Sequence, residues 1–495
     1  MGPSRSPARG AQFFIPPRRG NTYLLWMKKR IPILLCMLAV LVVGLLFTGC
    51  VTKPEKLGMA YHAETRAEQV RLLVDETWVD ADGTRHVKQE IFDSIYEMID
   101  AADAFILLDL FLMNDFGFEM GPCMRPVTQE LADRLVAKKA SHPEVEIVFI
   151  TDPVNTMYGS LESPQFTALT NAGARVVFTD LDQLRDSNPL YSKPWRLLGK
   201  PWGVGPGKTL KNPMGEGRVS MRSMLKMLNF KANHRKVVVT DKAVLLTSAN
   251  PHSASSAHWN VALRIDGAGQ AEAVEMEAAV LRFSDAADAV PTVEPAVPSK
   301  GHRIEFLSEV RIKEKVLALL EGAEPGARVD LCVFYLSEKQ VIQALVEATQ
   351  RGVHTRVILD PSKDSFGRTK NGVPNRQSGR KLVKGGVPVR WAHTHGEQCH
   401  VKMLYVENPD GTATLLLGSC NYTRRNMDNL NCEANVALTA PLDELNLARA
   451  RETFDRWWHN EQDKTFTADY EQFEDNSMWR RFSAWWGENT GLSIF

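Results

Sequence analysis

The feature that most constrains the fold of this chain is a long internal repeat. Residues 147–159 read I-V-F-I-T-D-P-V-N-T-M-Y-G, and residues 355–367 read T-R-V-I-L-D-P-S-K-D-S-F-G. Each copy is an apolar, β-branched run that ends in an Asp-Pro turn, which is typical of a strand and the loop after it. A second apolar run precedes each copy, at 104–112 and 329–336, and helical patterns such as 338–351 lie between the runs. The sequence therefore predicts an α/β fold of two similar lobes, each a mixed β-sheet flanked by helices.

The boundaries of the lobes follow from composition. Residues 287–301 contain three prolines and little periodic pattern, which indicates a linker. We expect a first lobe at 60–286 and a second lobe at 302–495, the latter ending in a Trp-rich tail. The chain is 44% hydrophobic and 24% charged with a net charge of zero, so it is a folded protein without the overall positive charge of a nucleic-acid scanner.

Each half carries the same polar motif downstream of its Asp-Pro turn. The motif is H-x-K-x-x-x-x-acid, followed by an apolar run and S-x-N. In the first half its residues are His234, Lys236, Asp241, Ser248 and Asn250. In the second half they are His400, Lys402, Glu407, Ser419 and Asn421.

The spacing of this motif indicates phosphate chemistry. A histidine and a lysine two residues apart lie on one face of a strand, and an antiparallel return brings the S-x-N residues near that face. Two such halves that face each other supply two imidazoles and a basic cradle for a phosphate, with one histidine to attack phosphorus and the other to protonate the leaving alkoxide. This chemistry requires no metal and no cofactor, and we predict neither.

At these residues the sequence resembles the phospholipase D superfamily, whose signature is H-x-K-x-x-x-x-D followed by G-S-x-N. The resemblance covers about residues 95–440 and extends to bacterial cardiolipin synthases. It implies that both motifs meet in one cleft between the lobes and that one histidine forms a phosphohistidine intermediate. The family often has N-x-E after the second motif, where this chain has Asn431 and Glu433; the matching position in the first half is Asn260.

Three positions depart from the family pattern: Glu407 replaces Asp, Thr247 replaces Gly, and Asn260 replaces a carboxylate. An asparagine can orient an imidazole but cannot stabilise its cation by charge. The resemblance implies that the late carboxylate reaches across to the early histidine. We therefore assign His234 as the nucleophile supported by Glu433, and His400 as the general acid.

The N-terminal region predicts export and membrane attachment. Lys28, Lys29 and Arg30 precede an apolar run at 31–47, and Thr48-Gly49-Cys50 follows it. This order of parts is that of a signal peptide, and its ending resembles a bacterial lipobox with lipidation at Cys50, although Phe47 stands where Leu is usual. The alternative is an uncleaved anchor helix. Residues 1–50 are thus a targeting region, with Met27 as an alternative start, and the body would face the periplasm from the bacterial cell envelope.

The first half also carries an insertion that bears on the substrate. Asp152 to His234 spans 82 residues, whereas Asp360 to His400 spans 40. The segment 187–236 has 11 Lys and Arg residues and one acidic residue, with interleaved Trp and Met, and its core at about 187–230 is the basic insertion. This composition favours contact with anionic phospholipid at a membrane surface. A solvated basic loop and a nucleic-acid groove remain alternatives, the latter less favoured.

These observations give three functional hypotheses. The leading one is a membrane-tethered phospholipase D-type phosphatidyltransferase or phosphodiesterase that acts on phospholipids, as a monomer because one chain holds both motifs. The others are a periplasmic metal-independent nuclease and a degenerate lipid-binding protein. The seven cysteines form no C-x-x-C pair, so zinc-ribbon and thioredoxin-like folds are disfavoured. The C-terminal Trp479, Phe482, Trp485 and Trp486 indicate either an interfacial helix or core packing.

Overall fold

The computed structural model describes residues 54–117, 124–204, 207–294, 300–365, 368–461 and 463–490, together with residues 2, 30, 32, 36 and 37. The chain divides into two units, 1–50 and 51–495, and the fold below is that of the second unit. Except for those isolated positions, the predicted signal region lies outside the described residues, and so does Cys50. Within the part that is described, no helix has both the length and the apolarity needed to cross a bilayer.

Two large mixed sheets organise the second unit. The first sheet has eight strands among the described residues, in the spatial order Arg85–Lys88, Gln69–Val79, Asn260–Asp266, Ala243–Thr247, Lys236–Thr240, Phe105–Leu110, Glu146–Thr151 and Arg175–Phe178. The second has nine, in the order His62–Ala67, His302–Ser308, Ala434–Pro441, Thr412–Gly418, Lys402–Glu407, Arg328–Val333, His354–Leu359, Val389–Ala392 and Thr467–Asp469. Two short ribbons pair Leu210–Lys211 with Arg218–Val219 and Asp364–Ser365 with Arg368–Thr369.

The two sheets repeat one strand order. In each, the strand that follows the histidine motif lies between its antiparallel hairpin partner and a set of three parallel strands. Lys236–Thr240 therefore corresponds to Lys402–Glu407, and Phe105–Leu110 corresponds to Arg328–Val333. The predicted α/β fold with two similar lobes is confirmed by this duplication.

Side-chain alternation stacks the sheets face to face. On the strand Lys236–Thr240, Val237 and Val239 enter a core that also holds Met403 and Tyr405 of the second sheet. Val238 points to the other face, into a core formed with helices of the first lobe. Because successive strand residues alternate between faces, both faces of each sheet are buried, and the order of layers is helix, sheet, sheet, helix.

Helices cover the outer faces and line the interface between the sheets. Several helices of each lobe pack on its outer sheet face, among them Ile91–Ala101 and Val127–Ser141 in the first lobe. The other α-helices of the described chain are Pro164–Asn171, Pro189–Pro194, Met221–Met227, Gln270–Phe283, Val310–Gly322, Lys339–Gln350, Asn375–Lys384, Arg424–Met427, Leu445–His459 and Met478–Thr490. Short 3-10 or π turns occupy Pro54–Leu57, Pro153–Thr156, Leu181–Gln183, Trp195–Gly199, Lys200–Trp202, Ser253–Ser255, Ala287–Ala289 and Tyr470–Phe473.

The start of the first lobe needs one correction. The strand His62–Ala67 lies within the predicted first lobe of 60–286, yet it pairs antiparallel with His302–Ser308 at the edge of the second sheet. The first strand of the first sheet is Gln69–Val79, which begins two residues later. A single chain segment thus crosses from one sheet to the other at Glu68, a connection that local sequence patterns do not reveal.

Candidate active site

Both histidines lie just before the strand that carries their lysine. His234 precedes Lys236–Thr240, and His400 precedes Lys402–Glu407. Each lysine folds back, and its Nζ donates a hydrogen bond to the carbonyl oxygen of its own histidine at 2.7 Å. Both histidines are less than a tenth exposed, and both lysines are buried. The motif therefore forms one compact unit that is built twice.

A phenylalanine supports each unit. The ring centroid of Phe111 lies 4.9 Å from that of His234 and 5.1 Å from Nζ of Lys236. Phe334 takes the same position in the second lobe, 5.0 Å from the ring of His400 and 5.1 Å from Nζ of Lys402. Sequence reasoning missed both rings. Each is the residue directly after a corresponding buried strand, so an alignment of the two halves would have placed them at equivalent positions.

The repeated Asp-Pro turns hold the residues that precede the histidines. Oδ1 of Asp152 accepts a hydrogen bond from Val154 N at 2.7 Å, and Oδ2 accepts one from Asn233 N at 2.8 Å. Asp360 repeats this, with Ser362 N at 2.7 Å and Cys399 N at 2.9 Å. Burial raises the pKa of Asp152 to about 7, against the opposing effect of its backbone donors. The turns that revealed the repeat thus position the backbone of the site.

A buried carboxylate from the second lobe contacts the first histidine. Nδ1 of His234 lies 2.9 Å from Oε1 and 3.0 Å from Oε2 of Glu433, the contact expected from the sequence. Glu433 is fully buried and also accepts hydrogen bonds from Ser419 Oγ and Asn426 Nδ2. Its backbone N–H donates to Oε1 of Glu309 at 3.0 Å. Three side-chain donors therefore converge on this carboxylate.

The second histidine has an amide in the equivalent place. Nδ1 of His400 lies 3.2 Å from Oδ1 of Asn260, which comes from the first lobe. Ser248 Oγ donates to the same oxygen at 3.0 Å, as Ser419 does to Glu433. Nδ2 of Asn260 donates to the carbonyl oxygen of His258 at 3.2 Å. The two halves share one geometry, but only the His234 side has a negative charge.

Behind His234 a buried ion network reinforces this asymmetry. The guanidinium of Arg235 lies 3.2 Å from Glu277 and 2.8 Å from Glu309, and all three side chains are fully buried. Glu309 also accepts the backbone N–H of Glu433. Val401 holds the position of Arg235 in the second motif, so that side lacks this arginine. The residue between the histidine and the lysine differs between the two motifs, and this difference was the sequence signal for the buried ion network.

The acidic residues of the two motifs lie elsewhere, which corrects their assignment as catalytic. Asp241 follows the far end of its strand, where Oδ1 accepts a hydrogen bond from Asp103 N at 3.0 Å. Glu407 ends its strand, 3.2 Å from the hydroxyl of Tyr405 and 3.7 Å from Arg451. Seven residues of extended chain separate His234 from Asp241, roughly 20 Å. The two acids entered the prediction as members of the family motif, whereas in the structure they contact residues at the far ends of their strands.

The remaining predicted residues have two kinds of role. Asn250 and Asn421 are less than a tenth exposed, and the Oδ1 atom of each has no hydrogen-bond partner among the described residues. In each S-x-N segment, the asparagine therefore has a buried side-chain oxygen that accepts no hydrogen bond from the described residues. Asn431 instead accepts a hydrogen bond from Ala232 N at 3.1 Å, and so ties the second lobe to the segment before His234.

The departure at Thr247 is accommodated locally. Its hydroxyl donates to the carbonyl oxygen of Val261 at 3.0 Å. At the equivalent Gly418, φ is +152°, and an added Cβ would lie 2.4 Å from the carbonyl oxygen of Ala434. The second copy therefore requires glycine, whereas the first has room for a side chain.

Direct contacts bring both motifs to one cleft. The backbone N–H of His234 donates to Cys432 O at 2.9 Å, and that of Trp259 donates to Gln398 O at 3.0 Å. The charge of Lys402 lowers the pKa of His234, and that of Lys236 lowers the pKa of His400. The site is therefore assembled from both lobes, and each lysine acts on both imidazoles.

Burial is the main influence on the protonation of these side chains. Burial, with the lysine charges, lowers the pKa of His234 to about 4 even though Glu433 raises it, and the pKa of His400 lies well below its usual value for the same first cause. Burial also lowers the pKa of Lys236 to about 7. Burial alone would raise the pKa of Glu433, but His234 and Lys236 hold it below its usual value. When His234 is neutral and its Nδ1–H donates a hydrogen bond to Glu433, Nε2 carries no proton, and its lone pair can act as a nucleophile.

Among the residues that the structure describes, no group of three or more His, Cys, Asp or Glu side chains is arranged to hold a metal ion.

The fold and the site together define a duplicated α/β protein with paired histidine–lysine motifs in a cleft between its lobes. The family model of the PLD-like domain of cardiolipin synthase matches residues 316–458. The second half of the chain is therefore similar to the PLD-like domain of cardiolipin synthase. Among curated proteins, no sequence matches it.

Two solved structures are similar to this chain to different extents. The phosphatidylserine synthase of Haemophilus influenzae superposes with a TM-score of 0.55 at 13% identity, over 89% of this chain and 98% of that one. The phospholipase D family member Nuc of Salmonella typhimurium covers 34% of this chain and 98% of its own, with a TM-score of 0.27 and 18% identity. The first of these likenesses establishes a common fold over most of the chain.

Proposed function

We propose that this protein is a phospholipase D-type phosphodiesterase or phosphatidyltransferase that acts on phospholipids through a phosphohistidine at His234. The observation that carries the proposal is the asymmetry of the histidine pair. His234 contacts the buried carboxylate of Glu433 at 2.9 Å, whereas His400 contacts the amide of Asn260 at 3.2 Å. A carboxylate stabilises the positive charge that develops on an attacking imidazole, and an amide does not.

In the first step, Nε2 of His234 attacks phosphorus and the bond from phosphorus to the alcohol oxygen breaks. His400 gives a proton to that oxygen as it leaves. In the second step, the hydroxyl of water or of an alcohol attacks phosphorus. His400 accepts the proton of that hydroxyl, and the phosphorus–nitrogen bond breaks. Water yields phosphatidic acid, and an alcohol yields a new phosphodiester.

The lysines supply positive charge, and the bound substrate changes the protonation of His400. Lys236 and Lys402 are buried beside both imidazoles, and their ammonium groups can bind the non-bridging phosphate oxygens. A bound phosphodiester anion offsets these positive charges. It therefore raises the pKa of His400 from its depressed value, so that His400 can be protonated in the complex.

The insertion supports a lipid substrate. Leu198, Trp202 and Met221 are more than half exposed, while Trp195 is buried and Met214 and Met227 pack against the core. The exposed side chains lie in the segment 187–236, which has one acidic residue and eight basic residues besides the buried Lys231, Arg235 and Lys236; this combination suits an anionic lipid surface. With lipidation at Cys50, the protein would act at the bacterial cell envelope, facing the periplasm. One chain contains both motifs, so we propose a monomeric catalytic unit.

The test is a product assay on the purified full-length chain. Labelled phosphatidylglycerol, with and without added glycerol, and labelled DNA are incubated with chelator and no added metal, and lipid products are resolved by thin-layer chromatography. We expect turnover of the lipid in chelator and none of the DNA. His234→Ala should abolish the products, while the matched His354→Ala, on an exposed strand residue outside the site, should not. DNA cleavage without lipid turnover would favour the nuclease, and activity that requires restored zinc or magnesium would contradict the mechanism.

A further inference from the structure

The C-terminal helix Met478–Thr490 exposes one apolar face. Its side chains are Met478, Trp479, Phe482, Trp485 and Trp486, which are between 47% and 76% exposed. Their spacing places them on one side of an α-helix, which we call the aromatic face. The ring of Phe482 is 5.8 Å from Trp479, 5.9 Å from Trp485 and 6.1 Å from Trp486, so the face is a continuous aromatic surface.

The opposite side of this helix is fixed to the second lobe. Oε1 of Glu488 accepts a hydrogen bond from Arg424 N at 2.9 Å, and the Arg424 guanidinium donates to the backbone oxygen of Glu488 at 3.3 Å. Arg480 lies 3.1 Å from the buried carboxylate of Asp475. Polar contacts thus orient the helix so that the aromatic face points outward.

Basic side chains border the aromatic face. Trp485 lines a groove together with five basic residues and one acidic residue, Glu488, whose pKa is raised by burial. The basic residues are Lys339, Arg380, Lys381, Lys384 and Arg481. Of these, Arg380 faces Glu474 at 3.6 Å. The groove therefore presents an excess of positive charge beside an aromatic surface.

The helix is also connected to the cleft. Three consecutive residues of the short helix Arg424–Met427 join the parts: Arg424 holds the C-terminal helix, Arg425 lies 5.3 Å from the ring of Phe230 in the insertion, and Asn426 donates to Glu433. The C-terminal helix, the insertion and the carboxylate of the site thus all contact this one short helix.

We infer that the aromatic face is a membrane-binding surface that inserts into the headgroup region of a bilayer rich in anionic lipid. Tryptophan favours this region because its ring is apolar and its N–H is polar, and basic side chains beside it attract anionic headgroups. The helix lies on the bilayer and places the cleft beside its surface. This contact is separate from the predicted N-terminal attachment, and it does not depend on the proposed catalysis because binding requires no turnover.

The experiment keeps N-terminal attachment constant. The full-length chain is reconstituted into phosphatidylcholine vesicles with and without phosphatidylglycerol, and amide hydrogen exchange of 478–490 is measured. Phospholipids with a photoreactive acyl chain identify the peptides that contact lipid. We expect exchange to slow by about tenfold with phosphatidylglycerol, and lipid crosslinks at 478–490.

Paired variants identify the responsible residues. Trp479→Ser with Trp486→Ser should remove both the protection and the crosslinks, with an unchanged thermal midpoint because these side chains are exposed. Leu445→Ser, which removes an 83% exposed leucine from another helix, is the matched control and should change neither. Exchange that is unaffected by phosphatidylglycerol, or crosslinks from 478–490 to a second copy of the chain in place of lipid, would overturn the inference.

Discussion

Replacement of Glu433 by glutamine tests the asymmetry of the site. Glu433 is fully buried and accepts hydrogen bonds from His234, Ser419 and Asn426. Glutamine keeps one acceptor oxygen and introduces an N–H₂ group that faces one of these donors. The variant loses the charge beside His234 and leaves a buried donor without an acceptor.

The size of the effect follows from the contacts. A hydrogen bond to a charged group contributes about 1.5–3 kcal/mol, and each ~1.4 kcal/mol changes a rate by about tenfold. We therefore expect Glu433→Gln to lower the rate of phosphoenzyme formation by about 10- to 100-fold. The proposed roles place this loss in the attack of His234, so it should appear equally with a good and a poor leaving group.

The assay is rapid-quench measurement of the covalent intermediate with a p-nitrophenyl phosphodiester and with a phospholipid. Glu305→Gln is the matched control, since Glu305 is a buried carboxylate of the second sheet that pairs with Lys315 at 2.6 Å outside the cleft. It should form the intermediate at the normal rate. An unchanged rate in Glu433→Gln, or a loss confined to the phospholipid, would refute the reasoning.

Two further predictions follow from the site geometry, and a third follows from the N-terminal sequence. His400→Ala should lose about 10²- to 10⁴-fold on phospholipid but retain most activity on the p-nitrophenyl ester, whose leaving group needs no proton, while His234→Ala should lose both; the reverse pattern in steady-state kinetics would exchange their roles. Binding of inorganic sulfate, a dianion throughout this range, should weaken in calorimetry as pH rises through about 7, because Lys236 loses its charge there. Lys236→Met should flatten this dependence, and a wild-type affinity that is constant across the range would contradict it. Cys50→Ala should release the protein from membranes or stop its processing, as seen by fractionation and mobility; an unprocessed, membrane-bound variant of unchanged mobility would favour the anchor helix.

Most of the fold could be predicted because the repeat appears twice. A single H-x-K is common. Two copies, each downstream of a strand that ends in Asp-Pro, predicted two equivalent lobes, and the two sheets repeat the same strand order. Pairing of Glu433 with His234 was accessible only through the family resemblance, because the two residues are 199 positions apart.

The remaining features depend on tertiary structure. The motif alone does not show that a residue seven positions after the histidine lies at the far end of the strand, so Asp241 and Glu407 were included among the catalytic residues. Phe111, Phe334 and the Asp-Pro carboxylates act through contacts made by loops from neighbouring strands. The crossing of His62–Ala67 to the second sheet likewise depends on the pairing of strands that are distant in sequence.

The central claim is a covalent intermediate on His234 in a cleft built from both lobes. It is tested most directly by quenching the enzyme in base during turnover of a labelled phosphodiester, because a phosphorus–nitrogen bond on histidine survives base and hydrolyses in acid, with mass spectrometry to locate the adduct. We predict a phosphorus adduct on His234 in the wild type, its accumulation in His400→Ala with the p-nitrophenyl substrate, and no adduct in His234→Ala. An adduct on His400, or turnover with no adduct on either histidine, would contradict the account.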